Sequence, residues 1–467
     1  MVEFSGVGKN ENGFDRILIS LILRPSHWLF VFPLTVRCFG IGMQRKDIMK
    51  KILVCVGLAA AGTTVLQAAY TPDLNSMETS KLWSLSGTLR GFYDDNYNTA
   101  PSGPNKRDSY GFEISPSFSL NVPLQQTEIG LRYTYGLYYY QDRQETTGRP
   151  VDQTHQADLW ISHAFTENWK TRVEDSFVIA QDPELVGGGT LLRTEGNNIH
   201  NNGAVTLDTQ WTPLLGSELG YRNNFYDYQD SGYAGLLNRL EHLVWINLNL
   251  RVLPEVTAFI GYQYGQVNYV GDEVIAIGGG KTTYSDNRDN RSHTGYVGAQ
   301  YNPLANLSIA AKAGLSHTDY YNPAVGLSST SENSPFADLS TTYTYLPGSY
   351  VQVGFQERRN ATDVVAPDAN GNVTEDQESS VVYASINHKF TPQLTGNVLG
   401  NLQYSTFKGG QYDGHSQTMY SLGLNLSYSF NPHVSAEVGY NFDDLTSGVP
   451  GEKYQRNRIY LGVTGTY

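Results

Sequence analysis

Tyr110-Gly-Phe-Glu-Ile-Ser-Pro-Ser-Phe-Ser-Leu-Asn-Val122 alternates without a break. Tyr110, Phe112, Ile114, Pro116, Phe118, Leu120 and Val122 fall on one face, and Gly111, Glu113, Ser115, Ser117, Ser119 and Asn121 on the other. This is the period-2 pattern of a strand whose faces meet different media, and a slip of one residue would exchange the faces completely. The next segment repeats it, with Ile129, Leu131, Tyr133, Tyr135, Leu137 and Tyr139 against Glu128, Gly130, Arg132, Thr134, Gly136 and Tyr138. The same alternation marks Leu240 to Val252, Val256 to Tyr264, Leu307 to Leu315, Leu394 to Tyr404, Tyr420 to Phe430 and Val434 to Phe442.

Between such segments stands a recurring mark: an aromatic residue, one spacer, then proline. It occurs at Trp211-Thr-Pro213, Tyr301-Asn-Pro303, Tyr345-Leu-Pro347, Phe390-Thr-Pro392 and Phe430-Asn-Pro432. Weaker forms sit at Val122-Pro123, Leu253-Pro254 and Phe165-Thr-Glu167-Asn168, so eight turns recur about every 40 to 49 residues. Proline closes each strand by removing a ladder donor. Phe165, Trp211, Tyr301, Tyr345, Phe390 and Phe430 share the apolar face at the turn end, where an aromatic girdle marks a membrane interface.

A strand on each side of every turn gives 16, and Trp83 to Tyr93 with Arg458 to Tyr467 bring the total to 18. A soluble β-sandwich also alternates, but its strands average about 5 to 6 residues. These run about 10 to 13, the length a tilted strand needs to cross a bilayer. The expected fold is all-β: a transmembrane, antiparallel, up-and-down β-barrel of about 18 strands (16 to 20), spanning residues 81–467 with both termini on the short-turn side. Closure leaves no unpaired edge in lipid.

Composition agrees. Hydrophobic residues make up 40% of the chain and charged residues only 16%, with 47 glycines and 33 tyrosines, a balance unlike that of a soluble enzyme. After residue 70 no apolar run approaches the ~20 residues of a membrane-spanning helix. Met49-Lys50-Lys51, the apolar Ile52 to Leu66 and the small residues at Gln67-Ala68-Ala69 read as a secretory signal peptide over 49–68. A short periplasmic segment, 69–80, would follow. Residues 1–48 read as an upstream extension ahead of the true start, with a genuine N-terminal anchor as the alternative. Cys38 and Cys55 both precede the cleavage zone, which leaves no mature disulfide, thiol nucleophile or cysteine-bound metal. Removing residues 1–68 takes away eight Lys+Arg and four Asp+Glu, so 24 basic residues face 41 acidic ones, a net charge of −17 that repels nucleic acid.

The last strand alternates Ile459, Leu461, Val463, Gly465 and Tyr467 with Arg458, Tyr460, Gly462, Thr464 and Thr466, and stops on the aromatic. It resembles the C-terminal strand of bacterial outer-membrane barrels, and with the signal peptide the chain resembles a Gram-negative outer-membrane porin of the broad beta-barrel porin group over residues 80–467. The resemblance implies an integral location in the outer membrane, lipid bilayer and lipopolysaccharide as surroundings, recognition of the Tyr467 end by the barrel assembly machinery, and a homotrimer as many porins form. It also implies a third loop folded inward. Here that loop, Gln181 to Asn201, carries Asp182, Glu184, Arg193 and Glu195 as constriction residues, although loop five (Val270 to Arg291) and loop seven (Arg358 to Glu378) are comparably long and either could constrict instead.

Parity assigns Arg90, Glu113, Arg132, Asp158, Arg172, Glu174, Asp208, Glu218, Arg222, Arg239, Glu241, Arg251, Lys312, Glu437 and Arg458 to the inner face. Charges of both signs across a pore set up a field that favours polar solutes; the plainer alternative is paired, solvated wall residues. The acidic loop residues Asp363, Asp368, Glu375, Asp376 and Glu378 suit divalent cations among lipopolysaccharide head groups, or simply keep the outer surface soluble. Asp175 shares parity with Val173, Phe177 and Ile179 and would face lipid, which calls for either a β-bulge or a covering subunit.

Gly278-Gly279-Gly280-Lys281-Thr282-Thr283 looks like part of a phosphate-binding loop, but Ile275 stands where that motif needs a glycine, so a flexible loop is expected. No nucleophile elbow, zinc-binding His-Glu-x-x-His or catalytic carboxylate pair is present, and no cofactor or metal is expected. The functional expectation is a porin for passive diffusion of small hydrophilic solutes or ions. The alternatives are a plugged barrel acting through its loops as an adhesin, receptor or structural protein, and, well below it, an outer-membrane lipase.

Overall fold

The computed structural model describes residues 81–143, 150–180, 198–229, 231–271 and 273–467, with isolated two-residue strands elsewhere. The extension, signal peptide and periplasmic segment expected over 1–80 lie outside the described residues apart from such fragments. Eighteen strands form one closed barrel. They are β1 (Trp83–Asp94), β2 (Ser109–Pro123), β3 (Thr127–Tyr140), β4 (Val151–Thr166), β5 (Trp169–Ala180) and β6 (Asn198–Gln210). Then come β7 (Leu215–Tyr228), β8 (Arg239–Leu253), β9 (Val256–Tyr269), β10 (Asn290–Leu304), β11 (Leu307–Tyr320) and β12 (Thr330–Leu346). The last six are β13 (Ser349–Asn360), β14 (Thr374–Lys389), β15 (Leu394–Gly409), β16 (Ser416–Asn431), β17 (Val434–Ser447) and β18 (Tyr454–Thr466). Each strand pairs antiparallel with its sequence neighbours, and β18 pairs with β1 to close the ring.

The two faces differ in chemistry. Leu89 and Leu461 on the outer face are 57% and 66% exposed, while Ser84 and Asp94 on the inner face of β1 are 1% and 0% exposed. Large apolar side chains cover the outside of every strand. A water-facing surface does not tolerate such a continuous apolar band, so the medium around the barrel is hydrocarbon. Among the described residues no helix is long and apolar enough to cross a membrane.

The strands run 12 to 17 residues, longer than expected, and the surplus lies at the long-loop end. Arg358 and Asn360, expected in loop seven, pair in register with Ser379 and Gln377. Loop seven therefore shrinks to residues 361–373. Register continues unbroken through Asp175 on both sides, against Leu159 and Gly203, so no bulge turns it inward. Asp175 stays on the outer face and accepts a hydrogen bond from the Asn201 side chain at 2.9 Å.

At the short turns the spacer of the aromatic-spacer-proline mark has its own task. Thr212 Oγ1 accepts from the backbone N–H of Leu214 and Leu215 at 3.3 and 3.0 Å. Thr391 does the same for Gln393 and Leu394, and Asn431 Oδ1 for His433 and Val434. Each closes a turn whose proline cannot donate. The preceding aromatics form the lower girdle, where Trp169 and Trp211 meet edge to face at 5.9 Å and Trp83 meets Tyr467 at 5.9 Å.

The glycine run at 278–280 is a structured turn rather than a flexible loop. Gly278 pairs with Lys281 in a hairpin of Val274–Gly278 with Lys281–Tyr284, and Gly279 and Gly280 hold φ of 56° and 75°. Positive φ at both central residues is the type I′ geometry that glycine supplies without strain.

Candidate functional site

The barrel interior is built from two devices on the strands. The first is a set of glycines each roofed by an aromatic ring directly across the ladder. Gly130 faces Trp160, Gly220 faces Trp245, Gly261 faces Tyr296, Gly354 faces Tyr383 and Gly439 faces Tyr460. A Cβ on these glycines would lie 1.8 to 2.2 Å from ring atoms, so the rings lie flat against the wall only because the opposite residue has no side chain. This accounts for the joint abundance of glycine and aromatics, and it keeps large rings from projecting into the lumen.

The second device is charge. The register places the fifteen inner-face residues named above on one side of the sheet, with Arg90 opposite Glu113, Arg132 opposite Asp158, and Asp208 opposite both Lys170 and Glu218. Many are engaged with one another. Arg90 reaches Glu113 at 2.9 Å and Glu437 at 2.6 Å, Arg172 reaches Asp208 at 3.2 Å, and Arg239 reaches Glu241 at 2.7 Å. Glu218 accepts from Trp245 Nε1 at 2.6 Å, and Asp158 from Ser176 at 2.7 Å. Arg458 joins Arg456 on the buried Asp94, at 2.9 and 2.6 Å, and also donates to the Tyr140 hydroxyl. Arg251 and Glu174 are exposed. Arg222 lies over the Trp245 ring at 5.8 Å.

Several partners escaped the sequence reading. Asp94 and Arg456 share parity with Arg90 and Arg458, and Asp338, 3.5 Å from Lys312, lies on β12, where polar residues fall on both faces. Arg358, assigned to loop seven, is an inward-facing strand residue of β13, by its register opposite Ser379. Glu375, Asp376 and Glu378, expected among the loop acids, are strand residues of β14 instead, with Asp376 buried against Arg359 at 2.8 Å and the Tyr320 hydroxyl.

Asp182, Glu184, Arg193 and Glu195 of loop three lie outside the described residues. Among the described loops, four others reach inward. The short helix Ser231–Leu237 of loop four packs Leu237 on the inward-facing Tyr226 and Tyr228. Val364 of loop seven and Val449 of loop nine pack on the inward-facing Phe407. Arg288 of loop five is fully buried, stacks over Tyr269 at 4.5 Å, and donates to the carbonyls of Leu236 at 2.9 Å and Thr362 at 2.8 Å. One guanidinium thus pins loops four, five and seven together at the long-loop mouth. Among the described residues no group of three or more His, Cys, Asp or Glu is placed to hold a metal.

A closed ring of 18 amphipathic strands with a charged interior and an apolar exterior is an integral β-barrel of the bacterial outer membrane. Residues 86–467 match the family described as Putative beta-barrel porin 2, and the chain belongs to that family. A search of curated proteins gave no match. Among solved structures, the chain is similar to the outer membrane protein OpdK from Pseudomonas aeruginosa, at 10% identity and a TM-score of 0.41, over 83% of this chain and 100% of that one. It is also similar to OccAB4 of Acinetobacter baumannii, at 14% identity and a TM-score of 0.40 over 83% and 99% of the two chains. The siderophore receptor PirA from Pseudomonas aeruginosa matches at 11% identity, with a TM-score of 0.38 over 82% of this chain and 80% of that one.

Proposed function

We propose that this barrel is a porin through which small hydrophilic solutes or ions diffuse passively across the outer membrane. The observation that carries the reading is the inner wall: ion-paired carboxylates and guanidiniums interleaved with aromatic rings held flat over glycines, a surface for water rather than for a packed core. Assembly would proceed through recognition of the last strand and its terminal Tyr467, and the outer face would sit among lipid and lipopolysaccharide. Asp175 and Asn201 on that face favour a lateral contact with a second copy, as a homotrimer would provide. Purified, folded protein in planar bilayers should give stepwise conductance, and its absence would overturn the reading.

A second reading has one observation in its favour. Arg288 joins loops four, five and seven at the long-loop end, which suits a barrel that works through its loops as a receptor or adhesin with a closed lumen. Loss of conductance that returns on Arg288→Ala would favour it.

A further inference from the structure

We infer that a row of aromatic and polar side chains on the inner wall of β7 to β12 is a track for neutral oligosaccharides, an inference that rests on the porin reading above. The register sets Glu218, Asn247, Gly261, Tyr296, Gly314 and Phe336 opposite one another in turn, one residue on each of six adjacent strands. Neighbouring strands lie about 4.8 Å apart, so the row is roughly 24 Å long. Because barrel strands tilt, a row that crosses them climbs the wall instead of circling it. Trp245 borders the row over Gly220, and Phe259 borders it over Gly298.

Direct contacts join the row from end to end. Trp245 Nε1 and the Asn247 side chain donate to Glu218 at 2.6 and 3.3 Å, and the Tyr296 hydroxyl donates to Asn247 Oδ1 at 2.7 Å. The Tyr296 ring meets Phe259 at 6.4 Å and Phe336 at 5.4 Å, and Lys312, 3.5 Å from Asp338, lies 5.5 Å from the centre of the Phe336 ring. Tyr296 is the buried floor. Trp245, Phe259, Phe336, Glu218, Lys312 and Asp338 are only half-buried, and because they face inward their open surface is lumen surface. A pyranose is built to match: its C–H faces stack on flat rings, and its rim of hydroxyls donates to carboxylates and accepts from an ammonium or amide. Aromatic surface with a few convergent polar groups is how binding sites fix such a solute. The charges argue for a neutral one. Lys312 lies against Asp338, and Arg172 lies 3.2 Å from Asp208, which stands opposite Glu218, so both signs alternate and no patch of one sign selects an ion. The length of the row suits several linked sugar rings better than one.

The test uses the full chain in planar bilayers, with maltohexaose and cellohexaose as separate probes and polyethylene glycol of equal mass as a polymer with no ring to stack. At least one hexasaccharide should block the wild-type ion current, at a half-blocking concentration about tenfold below that of polyethylene glycol. The Phe259→Leu, Phe336→Leu double variant keeps apolar bulk and removes the flat faces. Its half-blocking concentration for the sugar should rise about tenfold, while block by polyethylene glycol stays as in wild type. If that pair fails to fold, Phe336→Leu alone, at the end of the row, replaces it, with a rise of about threefold. A conducting wild type that the sugars block no better than polyethylene glycol, or conducting variants with sugar block unchanged, overturn this inference alone. A folded wild type that never conducts overturns the porin reading and this inference with it.

Discussion

Arg90 on β1 and Glu437 on β17 meet at 2.6 Å although 347 residues separate them in the chain. The same guanidinium holds Glu113 on β2 at 2.9 Å, so one side chain ties three strands across the β18–β1 junction. Arg90→Met would leave two largely buried carboxylates without their cation. The expected cost is about 3 kcal/mol, read as a lower urea midpoint by tryptophan fluorescence in detergent micelles. An unchanged midpoint would mean that the backbone ladder alone holds the junction.

Gly130→Ala places a methyl group 1.8 Å from the Trp160 ring. The ring must lift from the wall into the lumen, at a cost of about 2 kcal/mol, and single-channel conductance should fall. Gly295→Ala is the control: that glycine has nothing within 4 Å, and its substitution should stay within about 0.5 kcal/mol of wild type.

Arg288→Ala removes the donor shared by Leu236 and Thr362 and should free loops four, five and seven to separate. Trypsin cleavage at Lys281 is expected to speed up by about an order of magnitude, as loss of a buried charged donor lowers the local opening free energy. Cleavage at the wild-type rate would show that apolar contacts of Leu237 and Val364 suffice.

Loop seven carries a pH dependence at its tip. Asp368 accepts from the Asn372 side chain at 2.8 Å and from the backbone N–H of Asn372 and Asn370, and these bonds hold its carboxyl below the ordinary aspartate range. A depressed folded-state value stabilises the loop above the unfolded value, and that contribution is lost as pH falls through the folded one. Current noise should therefore rise only below about pH 4. Asp368→Ala should be noisy throughout and lose that pH step.

Asp175→Leu tests the outer face. A carboxylate in lipid is costly, so the variant should gain about 1 kcal/mol if lipid covers it. Loss of a larger assembly on a native gel, with the barrel still folded, would instead locate a contact with a second copy at Asp175 and Asn201.

Strand number and facing were legible because the two sides of every strand meet different solvents, and alternation such as Tyr110 to Val122 leaves one register. Above the lipid that contrast vanishes. Glu357, Arg358 and Arg359 are polar on both faces, so the top of β13 read as loop although its ladder continues. Inner-face charges could be placed by parity, but not paired, since whether Lys312 meets Asp338 depends on register between strands. The pin at Arg288 left no trace in sequence: its acceptors are carbonyls 52 and 74 residues away, and any residue supplies a carbonyl.

The junction of the first and last strands carries the longest loop closure in the barrel. Thr88 meets Thr464 at 2.8 Å across 376 residues, and Leu85 and Tyr467 exchange backbone hydrogen bonds beside them. Bringing such distant ends together costs on the order of 5 kcal/mol in chain entropy. Synthesis delivers β1 first and its partner last, so its edge stands open, able to pair with other chains, until β18 exists. Closure of this one ladder is what removes that edge and turns an open sheet into a ring.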